Sequence, residues 1–276
     1  MSRSGVAKET LSIIEAGEYV APSGARRELR AAMSSAIAGT RLYRPDDGAA
    51  LLARAGRGAG QPPQVEVTGE TTAEAARRLS QRDGIARVAA LNFASAKNPG
   101  GGFLGGAKAQ EEDLARCSGL YACLLTQREY YDVNRACPSM LYTDHIIYSP
   151  AVPFFRGDDL RLLDDPFVCS IITAPAPNAG EAARHREDRD SVSRALRRRA
   201  GMVFAVAEDA TERCLVLGAW GCGVFRNDPV EVAHVFATWL ASERFRDVFE
   251  RVVFAIYDRS AGQATRRAFE QQFATS

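Results

Sequence analysis

Short apolar runs alternate with longer amphipathic segments along most of this chain. The runs predict strands at residues 64–69, 86–94, 144–150, 167–175, 213–219 and 251–258. Between them, apolar positions repeat every three to four residues, as on one face of a helix. These segments predict helices at 71–82, 110–130, 181–207, 229–243 and from 262 onward. Strands that are apolar on both faces, with helices between them, indicate a three-layer α/β/α fold around a mixed, mostly parallel sheet.

The first 60 residues show a different pattern. Residues 5–17 and 24–38 predict two helices, and Ser23 suits the N-cap of the second. The segment RAGRGAGQPP at 54–63 is rich in Gly and Pro and lacks periodicity, which is typical of a connector. We therefore expect a helical N-terminal extension over 1–60 that packs on an α/β core at 64–276, within a single domain of 1–276.

Composition and charge narrow the class of partner. Of the 276 residues, 46% are hydrophobic and 25% are charged, which is typical of a soluble globular protein. The 35 Lys and Arg balance 34 Asp and Glu, so we expect no direct binding to nucleic acid. The basic cluster SRALRRRAG at 193–201 falls in a helical pattern and is typical of a solvated face. The chain shows neither a signal peptide nor an apolar run of membrane-spanning length, so we expect no membrane binding.

The cysteines and histidines argue against a disulfide framework and a zinc site. The six cysteines (117, 123, 137, 169, 214 and 222) include no C-x-x-C pair, and several stand in apolar runs. This pattern is typical of buried free thiols in a reducing cytosol, so we expect a cytoplasmic protein. The three histidines lack the spacing of metal ligands, and we expect no metal and no cofactor.

Motif-like loops follow several of the predicted strands. They are NFASAKNPGGGFLGG after the strand ending near Asn92, APAPN at 174–178, GAWGCGVFRND at 218–228 and YDRS at 257–260. In open α/β sheets, ligands bind outside the carboxyl ends of the strands. We therefore expect these loops to converge on one crevice.

The stretch NPGGGFLGGAKAQEEDLAR at 98–116 joins five glycines to two adjacent glutamates. Glycine lets backbone N–H groups approach a ligand closely, and consecutive amides form concave anion sites. One such loop is explained equally well by tight turns, but two of them favour a nucleotide-like ligand with a pyrophosphate. The chain has no G-K-[ST] motif and no dinucleotide fingerprint with its acidic residue.

Glu111 and Glu112 stand at the predicted start of a helix, where the helix dipole favours ionised acids. A single glutamate would be explained by this stabilising role, but QEED contains more acids than capping needs. A carboxylate beside a sugar linkage stabilises an oxocarbenium-like transition state and exchanges protons with the leaving and attacking oxygens. The sequence thus suggests cleavage of a glycosidic bond next to a nucleotide diphosphate.

These residues resemble the signature of a known family. Gly100 to Gly102, a seven-residue spacer and the run Gln110-Glu111-Glu112 look like the signature of poly(ADP-ribose) glycohydrolases. The surrounding LNFASAKNPGGGFLGG and GCGVFRND resemble the compact bacterial type, and the similarity runs from about residue 65 to the end. The resemblance implies a macrodomain-like fold that binds ADP-ribose and hydrolyses ribose–ribose O-glycosidic bonds of poly(ADP-ribose), with ADP-ribosylated proteins as substrates.

The resemblance also implies roles for individual residues. Glu112 matches the catalytic glutamate, and Glu111 matches the neighbour that orients the distal ribose. Implied substrate contacts are Asn98, Gly100, Gly101, Gly102, Gln110, Gly218, Gly221, Cys222, Gly223, Val224 and Phe225. The loop 218–225 matches the diphosphate-binding loop, and Phe225 would pack beside ribose and phosphates. Arg226 stands where bacterial relatives often have a small residue, and its side chain would either contact a phosphate or point into solvent.

The expected chemistry uses one carboxyl group. Glu112 would protonate the leaving ribose oxygen and then take a proton from the attacking water. A helix N-terminus favours the ionised form, whereas burial by substrate and the neighbouring charge of Glu111 oppose it. We therefore expect Glu112 to be partly buried in the complex.

Other functions stay open at this point. The same pocket would serve an ADP-ribose reader without catalysis, or a hydrolase of mono-ADP-ribosyl groups or other ADP-ribose derivatives. An NAD-dependent oxidoreductase lacks its fingerprint. A contact of Arg266 or Arg267 with adenosine, and cleavage within the polymer as well as at its ends, are also open.

Overall fold

A computed structural model of the protein describes residues 2–56 and 60–274. The helices of this part of the chain are α1 (Arg3–Ala16), α2 (Arg30–Gly39), α3 (Pro45–Leu52), α4 (Thr72–Arg77), α5 (Gln110–Cys117), α6 (Leu120–Leu125), α7 (Arg128–Ala136), α8 (Ala179–Arg184), α9 (Arg189–Asp209), α10 (Pro229–Ala241) and α11 (Ala264–Phe273). The strands are β1 (Glu18–Val20), β2 (Arg26–Glu28), β3 (Arg41–Tyr43), β4 (Gln64–Thr68), β5 (Val88–Phe93), β6 (Ile146–Arg156), β7 (Leu162–Ala174), β8 (Cys214–Leu217) and β9 (Arg251–Ala255).

The central sheet has the strand order β3-β6-β7-β5-β8-β9-β4. Neighbours from β7 to β4 pair in parallel, whereas β6 is antiparallel to both β7 and β3. Along β5, Ala89 and Leu91 belong to the apolar cluster that contains α9 and α10. Val88 and Ala90 belong to the cluster of α4, α5 and α6 on the other face. The predicted three-layer α/β/α fold with a mixed, mostly parallel sheet is confirmed.

Several predicted boundaries were wrong. The helix predicted at 110–130 is three helices, because Ser118 forms a β-bridge with Phe154 and Gly119 donates to the Pro153 carbonyl at 3.0 Å. The helix predicted at 181–207 is interrupted between α8 and α9, where Asp188 caps the second helix. Strands β6 and β7 form a hairpin much longer than predicted, with a register shift after Ser149.

The N-terminal extension is not purely helical. Residues 26–28, predicted as helix, are strand β2, and Leu29 rather than Ser23 is the N-cap of α2. The Ser23 backbone N–H instead donates to Asp164 at 2.9 Å. Strand β3 joins the central sheet, so the extension contributes to the core. Of the predicted connector, residues 57–59 lie outside the described residues.

Helix α1 packs directly behind the glycine loop. Its Ala7 forms a small buried cluster with Phe103 of the loop and Ala115 of α5. The Thr10 hydroxyl donates to the Arg116 carbonyl at 2.7 Å. The N-terminal helix thus supports the segment that carries the glutamates. In the described ranges, no helix is long and apolar enough to cross a membrane.

Candidate active site

A cavity of about 640 Å³ opens at the carboxyl ends of β5, β8 and β9. Its lining comes from residues 93–98, 108–114, 219–225 and 255–258, with Ala176 from the loop after β7. The predicted convergence of loops from four strands is therefore confirmed. The volume suits a ligand of the size of a nucleoside diphosphate sugar.

Gln110, at the start of α5, joins this helix to β5. Its Oε1 accepts the Phe93 backbone N–H at 2.8 Å, and its Nε2 donates to the Leu91 carbonyl at 2.8 Å and to Thr72 Oγ1 at 3.1 Å. The side-chain amide is thus engaged with protein groups at both ends. This residue lines the cavity, and its geometry fixes where the two following carboxylates stand.

Glu111 is the buried member of the acidic pair. Its Oε2 accepts the Ser95 backbone N–H at 2.6 Å, and its Oε1 accepts Asn92 Nδ2 at 3.3 Å. Burial raises the pKa of Glu111 to about 8 and outweighs these hydrogen bonds, which lower it. Glu111 is therefore mainly neutral at pH 7, whereas its place beside Glu112 in the sequence suggested a second negative charge.

Glu112 lies half-buried at the cavity wall against the glycine loop. The Gly102 backbone N–H donates to Glu112 Oε1 at 2.9 Å. Gly101 has φ +58°, and a Cβ there would stand 2.4 Å from the same oxygen. A side chain at this position would therefore strain the backbone and displace the Glu112 carboxyl group. Gly100, also at positive φ, faces inward against Phe103.

A fully buried arginine, not predicted from the sequence, stabilises the end of this loop where it leads into α5. Arg116 Nη2 donates to the Ala107 carbonyl at 2.6 Å, and its Nη1 donates to Asp113 Oδ1 at 2.5 Å. The Ala107 N–H donates in turn to the Gly102 carbonyl at 3.2 Å. Through Ala107, Arg116 therefore links the first turn of α5 to Gly102, the residue whose backbone N–H donates to Glu112.

The second glycine loop presents unpaired backbone amides. Within the described part of the chain, the N–H groups of Gly223, Val224 and Phe225 have no acceptor. Three consecutive free donors form the kind of concave site that binds phosphate oxygens. Cys222 also lines the cavity, and its thiol has a pKa raised to about 12 by burial, so it is not a nucleophile at neutral pH.

Two glycines of this loop serve packing. Gly221 has φ +74°, and a Cβ there would stand 2.3 Å from Asn227 Nδ2, which donates to the Pro177 carbonyl at 2.9 Å. Gly218 lies behind the cavity, where a Cβ would stand 2.8 Å from both the Ala255 carbonyl oxygen and the ring of Phe93. Gly218 is therefore not among the residues that line the cavity.

Of the remaining predicted positions, some line the cavity and others lie outside it. Asn98 lines the cavity. Arg226 is exposed, does not line the cavity and lies over Gly180. Arg266 pairs with Glu270 at 2.8 Å, outside the cavity lining.

Tyr142 and Asp158 are among the lining residues that sequence reasoning missed. Tyr142 comes from the segment between α7 and β6, and Asp158 comes from the turn between β6 and β7. Burial raises the pKa of Asp158 to about 6, opposed by a hydrogen bond with Thr71. No sequence pattern distinguishes either residue from other loop residues. Over residues 2–56 and 60–274, no group of three or more His, Cys, Asp or Glu is placed to hold a metal ion.

Comparison with known proteins agrees with this geometry. The family model of the microbial-type PARG catalytic domain, where PARG is poly(ADP-ribose) glycohydrolase, matches residues 7–157. The Thermomonospora curvata PARG structure is 47% identical with a TM-score of 0.94, covering 98% of this chain and 99% of that one. A structure of that enzyme bound to the inhibitor ADP-HPD is 46% identical with a TM-score of 0.92, covering 98% and 99%.

A second bacterial enzyme is also similar. The Deinococcus radiodurans PARG in complex with ADP-ribose is 49% identical with a TM-score of 0.81, covering 88% of this chain and 97% of that one. Among curated proteins, none matches the chain. These similarities confirm the macrodomain-like fold that the resemblance implied.

Proposed function

The chain belongs to the microbial-type poly(ADP-ribose) glycohydrolases, and from this premise we propose how its residues act. It is a hydrolase that cleaves the ribose–ribose O-glycosidic bonds of poly(ADP-ribose) and releases ADP-ribose. The roles of the individual residues follow from the geometry of the cleft.

The loop of free amides binds the diphosphate. The N–H groups of Gly223, Val224 and Phe225 donate to its oxygens, and the Phe225 ring packs beside the ribose. This arrangement directs the distal ribose toward Asn98 and the glycine loop. Binding on fixed backbone donors holds the scissile bond in place before reaction.

Glu112 is the catalytic residue. In its protonated form it donates its proton to the leaving ribose oxygen as the C–O bond breaks and positive charge develops on the distal ribose. The resulting carboxylate then accepts a proton from the water that attacks the anomeric carbon, which restores the starting state. The observation that carries this role is the fixed carboxyl oxygen, 2.9 Å from the Gly102 N–H at the cavity wall.

Glu111 orients the distal ribose as a neutral acid. Its two oxygens already accept from Ser95 and Asn92, and its proton remains available for a ribose hydroxyl. Neutrality of Glu111 also removes one of the two negative charges that adjacent glutamates would otherwise place beside the diphosphate. The sequence alone suggested repulsion by both.

The test is product analysis on purified poly(ADP-ribose). We expect the wild type to release free ADP-ribose, and Glu112→Gln to release none while it still binds ADP-ribose. Binding without release by the wild type would make the protein an ADP-ribose reader instead. Release by Glu112→Gln at the wild-type rate would assign the proton transfer to another group.

We further propose that residues 1–276 act as one catalytic domain in a reducing cytosol. The support for one domain is the packing of α1 on the glycine loop and the place of β3 in the sheet. The support for the compartment is that all six cysteines are free, four of them buried. Retention of activity by a protein that lacks residues 1–60 would contradict the first proposal.

A further inference from the structure

Tyr142 belongs to the cleft but has no part in the mechanism above. It lies half-buried in the cavity lining, and its ring centroid is 5.9 Å from that of Phe225, with the planes tilted by 45°. Phe225 adjoins the free amides of the second glycine loop. The two rings therefore form an aromatic wall on the diphosphate side of the cleft.

The backbone of Tyr142 has φ +59°, in the left-handed region that favours glycine. Of the described non-glycine residues with positive φ, Tyr142 is the one that lines the cavity. A bulky residue persists in this conformation only where its surroundings hold it there. The strained backbone of Tyr142 is therefore maintained by its neighbours.

Hydrogen bonds fix the backbone on both sides of Tyr142. Before Tyr142, the Met140 backbone N–H donates to Glu187 at 2.7 Å. After it, the backbone N–H and the hydroxyl of Thr143 both donate to Asn134 Oδ1, at 2.8 and 2.9 Å. Among the described residues, the hydroxyl of Tyr142 has only one long polar contact of 3.5 Å, in which it accepts from Asn178 Nδ2.

A buried guanidinium completes the support. Arg199 is fully buried, and its Nη2 donates to the Leu141 carbonyl at 2.9 Å. Its Nη1 donates to the Pro175 carbonyl at 2.6 Å, and its Nε donates to Asp144 at 2.9 Å. A cation taken out of water needs such compensation, so this network joins the Tyr142 segment firmly to the end of β7.

We propose that Tyr142 is a substrate-binding residue, which rests on the proposed function. Its ring extends the Phe225 wall against which the distal ribose packs, and its hydroxyl donates to a diphosphate oxygen. The hydroxyl proton has no acceptor among the described residues, which leaves it available to a ligand. Packing alone does not explain why a strained backbone is maintained at a residue whose ring is half-exposed in the cavity.

Calorimetric titration with ADP-ribose tests this proposal without requiring turnover. Tyr142→Gly removes the ring and suits the left-handed backbone, so we expect a folded protein whose Kd is weakened about tenfold or more. Tyr142→Phe removes only the hydroxyl, and we expect a Kd weakened about threefold to tenfold. The KM for the polymer should rise in parallel, with a smaller change in kcat.

The matched control is Thr211→Gly. Thr211 has φ +60° in the exposed turn between α9 and β8, so the variant relieves the same strain away from the cleft. Its Kd should stay within about twofold of the wild type. If Tyr142→Gly also binds within twofold, the proposal is overturned while the glycohydrolase function stands. An unchanged Tyr142→Phe overturns the hydroxyl contact alone, and a wild type that does not bind ADP-ribose overturns both the inference and the proposed function.

Discussion

The Glu112 carboxyl group lies where a side chain on Gly101 would otherwise stand. The carboxyl oxygen Oε1 of Glu112 occupies a point only 2.4 Å from where a Cβ of residue 101 would stand. The same oxygen accepts the next backbone N–H, that of Gly102, at 2.9 Å. The glycine run therefore helps to determine where the Glu112 carboxyl group lies, and a side chain at residue 101 would displace that group.

This relationship predicts the effect of a single methyl group. Gly101→Ala should displace the Glu112 carboxyl group and lower kcat by about a hundredfold, since misplacement of about 1 Å has that cost. Gly105→Ala is the matched control, because a Cβ there meets nothing within 4 Å. Initial rates of ADP-ribose release check both variants. Equal losses in the two would show a general effect of loop stiffness rather than this contact.

A second prediction concerns the buried guanidinium behind the loop. Arg116→Met leaves the Ala107 carbonyl without its donor and should lower the free energy of unfolding by about 2–3 kcal/mol. Arg116→Met should also lower kcat more than it raises KM, because loss of the bond to Ala107 lets Gly102 shift away from Glu112. Arg161→Met removes an arginine from an exposed pair and should change stability by no more than about 0.5 kcal/mol. Denaturant unfolding and steady-state kinetics measure both, and wild-type kinetics in Arg116→Met would contradict the positioning role.

The raised pKa of Glu111 predicts a pH-dependent stability. Its folded-state pKa of about 8 lies above the ordinary value of 4.5, so the folded protein holds this proton more tightly than the unfolded chain does. Its contribution to stability is fully present below about pH 4.5 and is lost as the pH rises toward 8. The Glu111→Gln side chain cannot ionise. Between pH 5 and pH 8, its free energy of unfolding should therefore rise relative to that of the wild type by on the order of a few kcal/mol. Unfolding free energies at the two pH values test this, and parallel profiles would contradict a buried neutral Glu111.

Asp158 predicts a pH-dependent affinity. Its pKa of about 6 means that the cleft gains a negative charge between pH 5 and 7. Because the ligand is a diphosphate, the wild-type Kd for ADP-ribose should weaken roughly threefold to tenfold over this range. The Kd of Asp158→Asn should stay nearly constant. A wild-type affinity that does not change with pH would place Asp158 too far from the bound diphosphate to matter.

The sequence predicted the parallel half of the fold well and the antiparallel half poorly. The runs that became β5, β8 and β9 are short and apolar on both faces, so periodicity alone identifies them. The hairpin of β6 and β7 contains Pro150, Pro153 and Pro166, and proline in a run argues against a continuous strand. Here β6 bends at a register shift after Ser149, which no local pattern encodes.

In the candidate site too, residues of a local motif were predictable from the sequence, whereas residues placed by distant contacts were not. Adjacent glutamates behind a glycine run form a local motif, so Glu111 and Glu112 were found from sequence. Arg116 was missed because charged residues on a helix are usually solvent-exposed, and its burial depends on the carbonyl of Ala107. Tyr142 was missed because its position depends on buried Arg199, 57 residues away in sequence. Neutrality of Glu111 likewise depends on burial, which neighbouring sequence does not reveal.

The central claim is that Glu112 transfers the proton while Glu111 acts as a neutral acid. The most direct measurement is the rate of ADP-ribose release from poly(ADP-ribose) at pH 7 by Glu112→Gln and by Glu111→Gln. We expect the release rate of Glu112→Gln to be about a thousandfold or more below that of the wild type, because an amide cannot protonate the leaving oxygen. Glu111→Gln retains a neutral hydrogen-bond donor and should remain within about thirtyfold of the wild type. The reverse order of losses would contradict the account and assign the proton transfer to Glu111.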